Sequence, residues 1–443
     1  MMKTTESLLL CACLTCGCAA TNPAPSVESP DNSAAVSEAP TAPAASAQKL
    51  STIGDDMLRQ SQKSADLMIF ESWPQETTLN NAHIADVVPV WIEAIDSAQS
   101  TLDFEEYYAI NAPGTGLDKV VQALKRAADR GVKIRFIIDS NMTTGDNGVL
   151  PQELAQIPNL EIRNISFKEM TGGIQHAKFF IVDGQTLYFG SQNFDWRSLE
   201  QISEMGARLR PASIVEPIRQ IFETDWKLAE NTSAGVQPAD CPSPAAVDYH
   251  GESASIQIVA SPKGYLPCES MWDLPKLIDM IGKAQNSIAI QLLNYATENY
   301  DHTMFTELDD ALTAAAARGV KVRLLVSDWS TRPKYIKDLK RLEPIDNIET
   351  RMIEIPEHSS GFVPYSRTIH SKFMVVDDAD SWIGTSNWAG DYFYKSRNIG
   401  IIVNSTKLNQ ELTQSFDNYW NSDYAIVVDP DVNYKPKNQA NKE

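Results

Sequence analysis

The sequence contains one set of polar residues twice, at the same spacing. Each copy reads His-x-Lys, four residues, Asp, six residues and then Gly-[Ser/Thr]-x-Asn. The first copy consists of His176, Lys178, Asp183, Gly190, Ser191 and Asn193, and the second of His370, Lys372, Asp377, Gly384, Thr385 and Asn387. Histidine and lysine are poor core residues, and buried polar groups are costly unless they are hydrogen-bonded. The duplication therefore indicates a functional site more strongly than a packing role.

The duplicated set has the chemistry needed for displacement at a phosphodiester. Such a displacement requires a nucleophile, a proton donor for the departing oxygen, and donors or cations around the non-bridging oxygens. One histidine can attack phosphorus while the other, protonated, delivers a proton to the leaving group and later takes one from water. The two lysines and two asparagines supply the donors. We therefore expect both copies to face one pocket, and this chemistry requires no metal ion or cofactor.

The residue twenty-eight positions after each histidine distinguishes the two copies. It is Glu204 after His176 and Asn398 after His370. A carboxylate can support the cationic form of an imidazole, whereas an amide can only orient it. The sequence thus predicts that Glu204 supports His176 as the nucleophile and that His370 is the general acid and base. The alternative for Glu204 is a solvated surface carboxylate.

The remaining motif residues are interpreted as structural. Asp183 and Asp377 precede Gly-Gln and Asp-Ala at predicted turns, so we expect them to anchor the loops rather than to act as acids or bases. Ser191, Thr385 and Asn398 are expected to hold the motif in place.

The segments around the two motifs also repeat, which predicts a duplicated fold. In the first, apolar residues at helical spacing end at Gly131 and are followed by a strand at 132–139. In the second, the same pattern ends at Gly319 and a strand follows at 320–326. Apolar strands that alternate with amphipathic helices predict an α/β fold with a largely buried sheet in each half.

Composition divides the chain into five segments. They are a signal peptide at 1–18, a tether rich in Ala, Pro and Ser at 19–50, a first repeat at 66–230, a linker at 231–253 and a second repeat at 254–430. The formal net charge of -20 disfavours polyanion binding through a broad basic surface, but it does not exclude a phosphate held in a small pocket.

The motifs resemble those of the phospholipase D superfamily, whose signature is the duplicated His-Lys-Asp motif. Segments 70–74, 190–199 and 384–393 resemble one branch, which contains the animal lysosomal phospholipase D-like 5′-exonucleases and the poxvirus envelope phospholipase. The resemblance implies two α/β/α sandwich repeats related by a pseudo-twofold axis, one shared active site, a phosphohistidine intermediate and no metal. It assigns catalytic positions to His176, Lys178, Asn193, His370, Lys372 and Asn387, and the support of the nucleophilic histidine to Glu204. Asn398 departs from a symmetric pair of carboxylates.

The predicted function is hydrolysis or transfer of a phosphodiester, and the sequence leaves the substrate open. A phospholipid is slightly favoured over single-stranded nucleic acid cleaved from its 5′ end, and a phosphate-binding pseudoenzyme is a third hypothesis. The candidate substrate-lining residues are Tyr107, Tyr108 and Asn294 near strand ends, and Trp196, Trp388, Tyr392 and Phe393 beside the motifs. Core packing is an equal alternative for the aromatic residues beside the motifs.

The N-terminus is typical of an exported protein. Lys3 and the apolar run 8–16 fit a signal peptide. The sequence Thr15-Cys16-Gly17-Cys18, followed by the tether, resembles the lipobox of bacterial lipoproteins and predicts lipidation of Cys18, with Cys13 as the alternative site. We therefore expect a protein anchored by lipid to a membrane of the bacterial cell envelope, or secreted without lipid.

Two cysteines lie outside the N-terminal region, Cys241 and Cys268. In an oxidising compartment we expect them to form a disulfide. Two free buried thiols are the alternative.

The predicted anchor can be tested by metabolic labelling with a palmitate analogue. The wild-type protein should carry the label, Cys18→Ser should lose it, and Cys13→Ser should keep it. An unlabelled wild-type protein would contradict the anchor.

Overall fold

The structure is a computed structural model that describes residues 65–437 and residue 439. The predicted signal peptide, the tether and the lipidation site at Cys18 lie outside the described residues. Within the part of the chain that is described, no helix combines the length and the apolar character needed to cross a membrane.

The first half alternates strands with helices. Its strands are β1 (Leu67–Ser72), β2 (Ala85–Asp86), β3 (Thr101–Glu106), β4 (Ala109–Ile110), β5 (Lys133–Asp139), β6 (Leu160–Ile165), β7 (Phe179–Val182), β8 (Thr186–Gly190), β9 (Phe194–Asp195) and β10 (Ile202–Leu209). Its helices are α1 (Val87–Ser97), α2 (Gly116–Asp129), α3 (Val149–Leu154), α4 (Phe167–Thr171), α5 (Trp196–Glu200) and α6 (Ala212–Glu230).

The second half repeats this order after an added strand. Its strands are β11 (Ala245–Tyr249), β12 (Glu252–Ser261), β13 (Ser287–Gln291), β14 (Lys321–Ser327), β15 (Ile348–Ile353), β16 (Thr368–Ile369), β17 (Phe373–Val376), β18 (Asp380–Gly384), β19 (Asn398–Asn404) and β20 (Ala425–Val427). Its helices are α7 (Asp273–Lys283), α8 (Glu307–Ala317), α9 (Pro333–Leu342), α10 (Gly390–Tyr394) and α11 (Thr406–Trp420).

Each half forms one mixed sheet with the same central strand order. The first sheet runs β2-β1-β10-β8-β7-β3-β5-β6, and the second runs β11-β12-β19-β18-β17-β13-β14-β15-β20. The strands that carry the two motifs therefore occupy corresponding positions, because β7 and β17 each lie between the equivalents β8/β18 and β3/β13. This arrangement confirms the predicted α/β fold with two repeats.

Alternating side chains of the strands separate three large apolar cores. In β7, Phe179 and Ile181 join a central core that also contains α6, α11 and one face of the second sheet, while Phe180 and Val182 join an outer core with α1 and α2. A second outer core packs α7, α8 and α9 on the other sheet. Because both faces of each sheet are covered, the strands are nearly continuous apolar runs.

The predicted helix ends are found in both repeats. Gly131 and Gly319 follow α2 and α8 with φ angles of 89° and 95°, a left-handed conformation that glycine adopts without strain. The boundary between the repeats differs from the prediction. Residues 245–249 of the predicted linker form β11, which pairs with β12 as an edge strand of the second sheet, because Val247 and Tyr249 are buried in the central core.

A disulfide joins Cys241 to Cys268, with their Cα atoms 5.2 Å apart. It ties the segment before β11 to the loop that follows β12. For a loop of this length, chain entropy alone would stabilise the fold by about 3.5 kcal/mol.

The two repeats exchange backbone contacts beside each motif. The short strand β16 pairs in parallel with β10 of the first sheet, and Gln175 forms the corresponding bridge with Arg397. Close approach of the backbones fixes Gly173, because a Cβ atom there would lie 2.1 Å from the carbonyl oxygen of Lys395. The segment that leads to each motif histidine is therefore held by the opposite repeat.

A buried ion pair reinforces the crossing near Gln175. Arg397 donates from Nε and Nη2 to the two carboxylate oxygens of Asp225 on α6, at 2.6 and 2.7 Å, and both side chains are fully buried. Its remaining donors reach the carbonyl oxygens of Ser261 and Tyr265 at 2.9 Å. Planar bidentate geometry with every guanidinium nitrogen hydrogen-bonded is the condition under which a buried ion pair is tolerated.

Removal of one partner of this pair should therefore be strongly destabilising. Asp225→Asn removes the carboxylate that pairs bidentately with the buried guanidinium, and we expect the free energy of unfolding in urea to fall by about 3 kcal/mol. The matched control is Asp417→Asn, which breaks the partly exposed pair with Arg323 and should cost less than about 1 kcal/mol. Equal losses in the two variants would contradict the role given to the buried pair.

Candidate functional site

The two motif histidines lie in one site because each is bonded through its backbone to the other repeat. The amide of His176 donates to the carbonyl oxygen of Arg397 at 2.9 Å, and the amide of His370 donates to that of Ser203 at 2.8 Å. The charges of Lys178, Lys372 and His370 all act on His176, so the structure brings both motifs together as expected.

The side-chain partners of the histidines are also crossed, and this corrects the sequence prediction. Glu204 does not contact His176; its carboxylate oxygens lie 2.8 and 3.0 Å from Nδ1 of His370. Asn398 places Oδ1 3.0 Å from Nδ1 of His176. The predicted pairing of Glu204 with His176 is wrong because the start of each of the strands β10 and β19 lies against the motif segment of the other repeat, so the residue twenty-eight positions after one histidine reaches the other histidine.

The orientation of Asn398 fixes the tautomer of His176. Its Nδ2 donates to the carbonyl oxygen of Tyr392 at 2.8 Å, which leaves Oδ1 facing the imidazole. The hydroxyl of Thr385 donates to the same oxygen at 2.9 Å. Because Oδ1 can only accept, Nδ1 of His176 carries the proton, and the lone pair is on Nε2.

The two lysines are buried beneath the histidines. Lys178 Nζ donates to the carbonyl oxygen of His176 at 2.6 Å, and Lys372 makes the same bond to His370. Burial lowers the pKa of Lys178 to about 7, although the charges of Glu106, Glu204 and Asp139 oppose this. Burial likewise lowers the pKa of Lys372 well below its usual value.

Burial also controls the titration of the histidines and of Glu204. His176 and His370 are only 5% and 9% exposed, and burial, together with the two lysine charges, lowers the pKa of each well below its usual value. Burial raises the pKa of Glu204 to about 8, against the opposing charge of Lys372. These groups therefore resist further positive charge in the site.

The motif serine, threonine and asparagines line the same site. Ser191 accepts from the amide of Met205 at 3.0 Å, and Thr385 accepts from that of Ile399 at 3.1 Å, so both hydroxyls hold the strand that carries the crossed partner. Asn193 and Asn387 are buried, and their Oδ1 atoms have no hydrogen-bond partner among the described residues. These oxygens can only accept, so a bound phosphate would take its hydrogen bonds from the Nδ2 groups of the two amides.

Asp183 and Asp377 have the geometry of loop anchors. Both have positive φ angles, 51° and 49°. Asp183 accepts from the backbone amides of residues 99–101, and Asp377 from those of residues 285–287. Each aspartate thereby ties the turn after its motif strand to the start of β3 or β13.

The candidate substrate-lining residues have different positions. The rings of Tyr107 and Tyr392 lie 5.6 and 4.9 Å from the His176 ring, so both flank the site. Tyr108 turns to Asp195, to which its hydroxyl donates at 3.0 Å. Asn294 is buried just beyond β13, with 9% of its surface exposed.

The prediction that Trp388 lines the substrate site is wrong. Trp388 is fully buried, with its ring centroid 6.2 Å from that of Trp382, and Phe393 belongs to the same core. Trp196 is partly buried against the core of the first repeat. Apolar contacts with the strands of their own repeats account for these three side chains, which is the packing alternative.

Sequence reasoning missed several charged and aromatic residues of the site. Glu106 is buried near Lys178, and burial raises its pKa well above the usual value. Asp225 lies on the apolar face of α6, among aliphatic and aromatic side chains. A carboxylate at such a helical position predicts a buried, paired charge, so the sequence contained a signal for this residue. Tyr300 and Tyr335, described below, carried no such signal.

Among the described residues, no group of three or more His, Cys, Asp or Glu side chains is placed to hold a metal ion. The side chains gathered at the site are instead two imidazoles, two ammonium groups, two amides and a carboxylate. This set can bind an anion and move a proton.

The sequence is similar to a family of phospholipase D-like domains and to proteins named as phospholipases D or exonucleases. A family model described as "Cardiolipin synthase, PLD-like domain" matches residues 91–226 and 277–420. A probable phospholipase D of Caenorhabditis elegans is 32% identical over 377 residues, which cover 78% of this chain and 67% of that protein. The 5′-3′ exonuclease PLD4 of Mus musculus is 30% identical over 421 residues, which cover 84% of this chain and 82% of that protein.

A solved structure shares the fold. The phosphatidylserine synthase of Haemophilus influenzae superposes with a TM-score of 0.57 over 86% of this chain and 92% of that chain, at 11% identity. The relatives confirm the predicted resemblance to the branch with 5′-exonucleases. With a family match in both repeats and the duplicated motif in one site, the chain belongs to the phospholipase D superfamily of phosphodiesterases.

Proposed function

We propose that this protein hydrolyses phosphodiesters in two steps, with His176 as the nucleophile and His370 as the general acid and base. The observation that supports this assignment is the unequal pairing of the histidines, an amide oxygen on His176 and a carboxylate on His370. A carboxylate stabilises an imidazolium, whereas an amide only orients the ring. The unpaired Nε2 of a neutral His176 can attack phosphorus, and His370 can hold a proton for the leaving group.

The proton and the phosphoryl group balance over the two steps. In the first, Nε2 of His176 bonds to phosphorus, the bond to the leaving oxygen breaks, and Nε2 of His370 gives that oxygen its proton. In the second, His370 takes a proton from water, the water oxygen bonds to phosphorus, and the bond between phosphorus and His176 breaks. Both histidines are thereby restored.

Buried positive charge makes the protonation of His370 depend on bound substrate. Burial, together with the charges of Lys372 and Lys178, lowers the pKa of His370. A bound phosphodiester adds a negative charge, which opposes the lysines and favours the imidazolium. The lysines and the amides of Asn193 and Asn387 then surround the non-bridging oxygens.

The reason for the assignment differs from the one drawn from the sequence. There, His176 was expected to be the nucleophile because Glu204 would support it. Glu204 pairs with His370 instead, so its carboxylate supports the proton donor, and the amide of Asn398 keeps the nucleophile neutral. His176 therefore remains the nucleophile and His370 the general acid and base, although Glu204 pairs with the other histidine.

Two substrate classes are consistent with this chemistry. The relatives include a probable phospholipase D and a 5′-3′ exonuclease, so a phospholipid and single-stranded nucleic acid are both candidates. We also propose that the protein acts outside the cytoplasm at the cell envelope, anchored through Cys18. The disulfide between Cys241 and Cys268 supports an oxidising compartment.

The nucleophile can be identified by trapping a phosphoenzyme. With radiolabelled methyl nitrophenyl phosphate, whose leaving group needs little protonation, His370→Ala should accumulate an acid-labile, base-stable label, because its second step lacks the base that activates water. His176→Ala should acquire no label. The control His302→Ala, whose imidazole is exposed, should turn over normally. Label in His176→Ala would reverse the assignment.

The pairing of the histidines also predicts opposite effects on the pH profile of kcat. Activity should fall at high pH as His370 loses its proton, and Glu204→Gln, which lowers the pKa of His370, should move this limb to lower pH by about one unit or more. Activity should fall at low pH as His176 becomes protonated, and Asn398→Asp, which raises the pKa of His176, should move that limb to higher pH.

The profile should be measured on whichever of dithymidine phosphate and a short-chain phosphatidylcholine is turned over, because an alkyl leaving group needs the acid. A shift of the low-pH limb in Glu204→Gln, with the high-pH limb unchanged, would contradict the pairing.

A further inference from the structure

Four tyrosines surround the nucleophilic side of the site. Tyr107 comes from the first repeat, and Tyr300, Tyr335 and Tyr392 come from the second. Tyr107 and Tyr392 flank His176, with ring centroids at 5.6 and 4.9 Å. The phenol of Tyr300 lies near those of Tyr335, Tyr107 and Tyr392. We call this group the tyrosine cluster.

Tyr300 is the most solvent-exposed member of the tyrosine cluster. Its side chain is 66% exposed, whereas Tyr335 and Tyr392 are buried at 9%. Lys334 Nζ lies 3.8 Å from the centre of the Tyr300 ring. The ammonium therefore covers one face of the exposed ring, and a flat, polar ring can stack on the other face.

The loop that carries Tyr300 is fastened to the rest of the site. The amide of Tyr300 donates to Asp391 Oδ2 at 2.6 Å, and the amide of Asp391 donates to Asn299 Oδ1 at 3.1 Å. Lys395 bridges Asp301 and Asp391 at 2.8 and 2.9 Å. Because these contacts hold the loop in place without a ligand, little ordering entropy remains to be lost when a ligand binds.

We propose that the tyrosine cluster, with Lys334, holds the group that stays on phosphorus after the leaving group departs, and that this group is a nucleoside. The inference rests on the proposed role of His176, because the retained group lies beside the nucleophile that carries it. A nucleoside offers a flat ring for Tyr300 and hydroxyl and ring oxygens for the phenols and the ammonium. The acyl chains of a diacylglycerol would desolvate these polar groups without replacing their hydrogen bonds.

The proposal is tested by two substrates that differ only in the retained group. Methyl nitrophenyl phosphate and thymidine nitrophenyl phosphate, the latter as its 3′ and 5′ isomers, share a leaving group. Wild-type protein should prefer at least one thymidine isomer by about tenfold or more in kcat/KM, which is the range of one stacked base. Tyr300→Ala should lower kcat/KM for the preferred thymidine isomer by about tenfold more than for the methyl ester, so that the preference is lost.

Two further variants distinguish stacking from structure. Tyr300→Trp keeps an aromatic face and should restore the preference. Tyr394→Ala removes another tyrosine of the second repeat, 42% exposed and packed on Trp272 outside the tyrosine cluster, and should leave both substrates unaffected.

The outcomes separate this inference from the proposed function. Three results would each overturn the inference. The first is an equal loss of activity on both substrates in Tyr300→Ala, and the second is a wild-type protein that shows no preference between them. The third is hydrolysis of phosphatidylcholine vesicles by a protein that hydrolyses neither thymidine isomer. Failure of wild-type protein to hydrolyse any of these diesters, or to form a phosphoenzyme, would instead overturn the proposed function.

Discussion

Each histidine of the site is held by the half of the molecule that does not contain it. The backbone amide of His176 bonds to Arg397, and its ring bonds to Asn398; the amide of His370 bonds to Ser203, and its ring bonds to Glu204. Neither repeat can therefore orient its own imidazole. The close backbone contact at Gly173 and the buried ion pair of Arg397 with Asp225 both join the two repeats, so they stabilise the interface between the repeats. A site assembled in this way exists only when the two repeats are docked.

Duplication supplies both halves of the site, and a few substitutions make the halves different. One crossed partner is a carboxylate and the other an amide, so the two imidazoles, similar in sequence context and burial, differ in their ability to hold a proton. Burial and the charges of the two lysines suppress further positive charge on the histidines, and a bound anion would oppose this effect. This also reconciles phosphate chemistry with a net charge of -20, because the binding cations are buried beside the histidines rather than spread over the surface.

Much of the fold could be predicted from the sequence because its signals are local. The apolar pattern of α2 and the glycine that ends it are local signals, and the repeated motif placed β7 and β17 in equivalent positions. The partner of Glu204 could not be predicted by counting residues. Glu204 follows His176 by twenty-eight positions, as Asn398 follows His370, but each of these residues contacts the histidine of the other repeat. The burial of Trp388 could not be predicted either, because its position beside a motif does not show whether its side chain faces the site or the core. Tyr300 reaches the site from a loop whose course depends on contacts with Asp391, Asp301 and Lys395.

The crossed pairing is tested most directly by the ring-nitrogen NMR signals of His176 and His370 in protein made with isotope-labelled histidine. The account predicts that Glu204→Gln shifts the Nδ1 signal of His370 and leaves that of His176 in place, and that Asn398→Asp does the reverse. A shift confined to His176 in Glu204→Gln would contradict it, because Glu204 would then support the histidine of its own repeat.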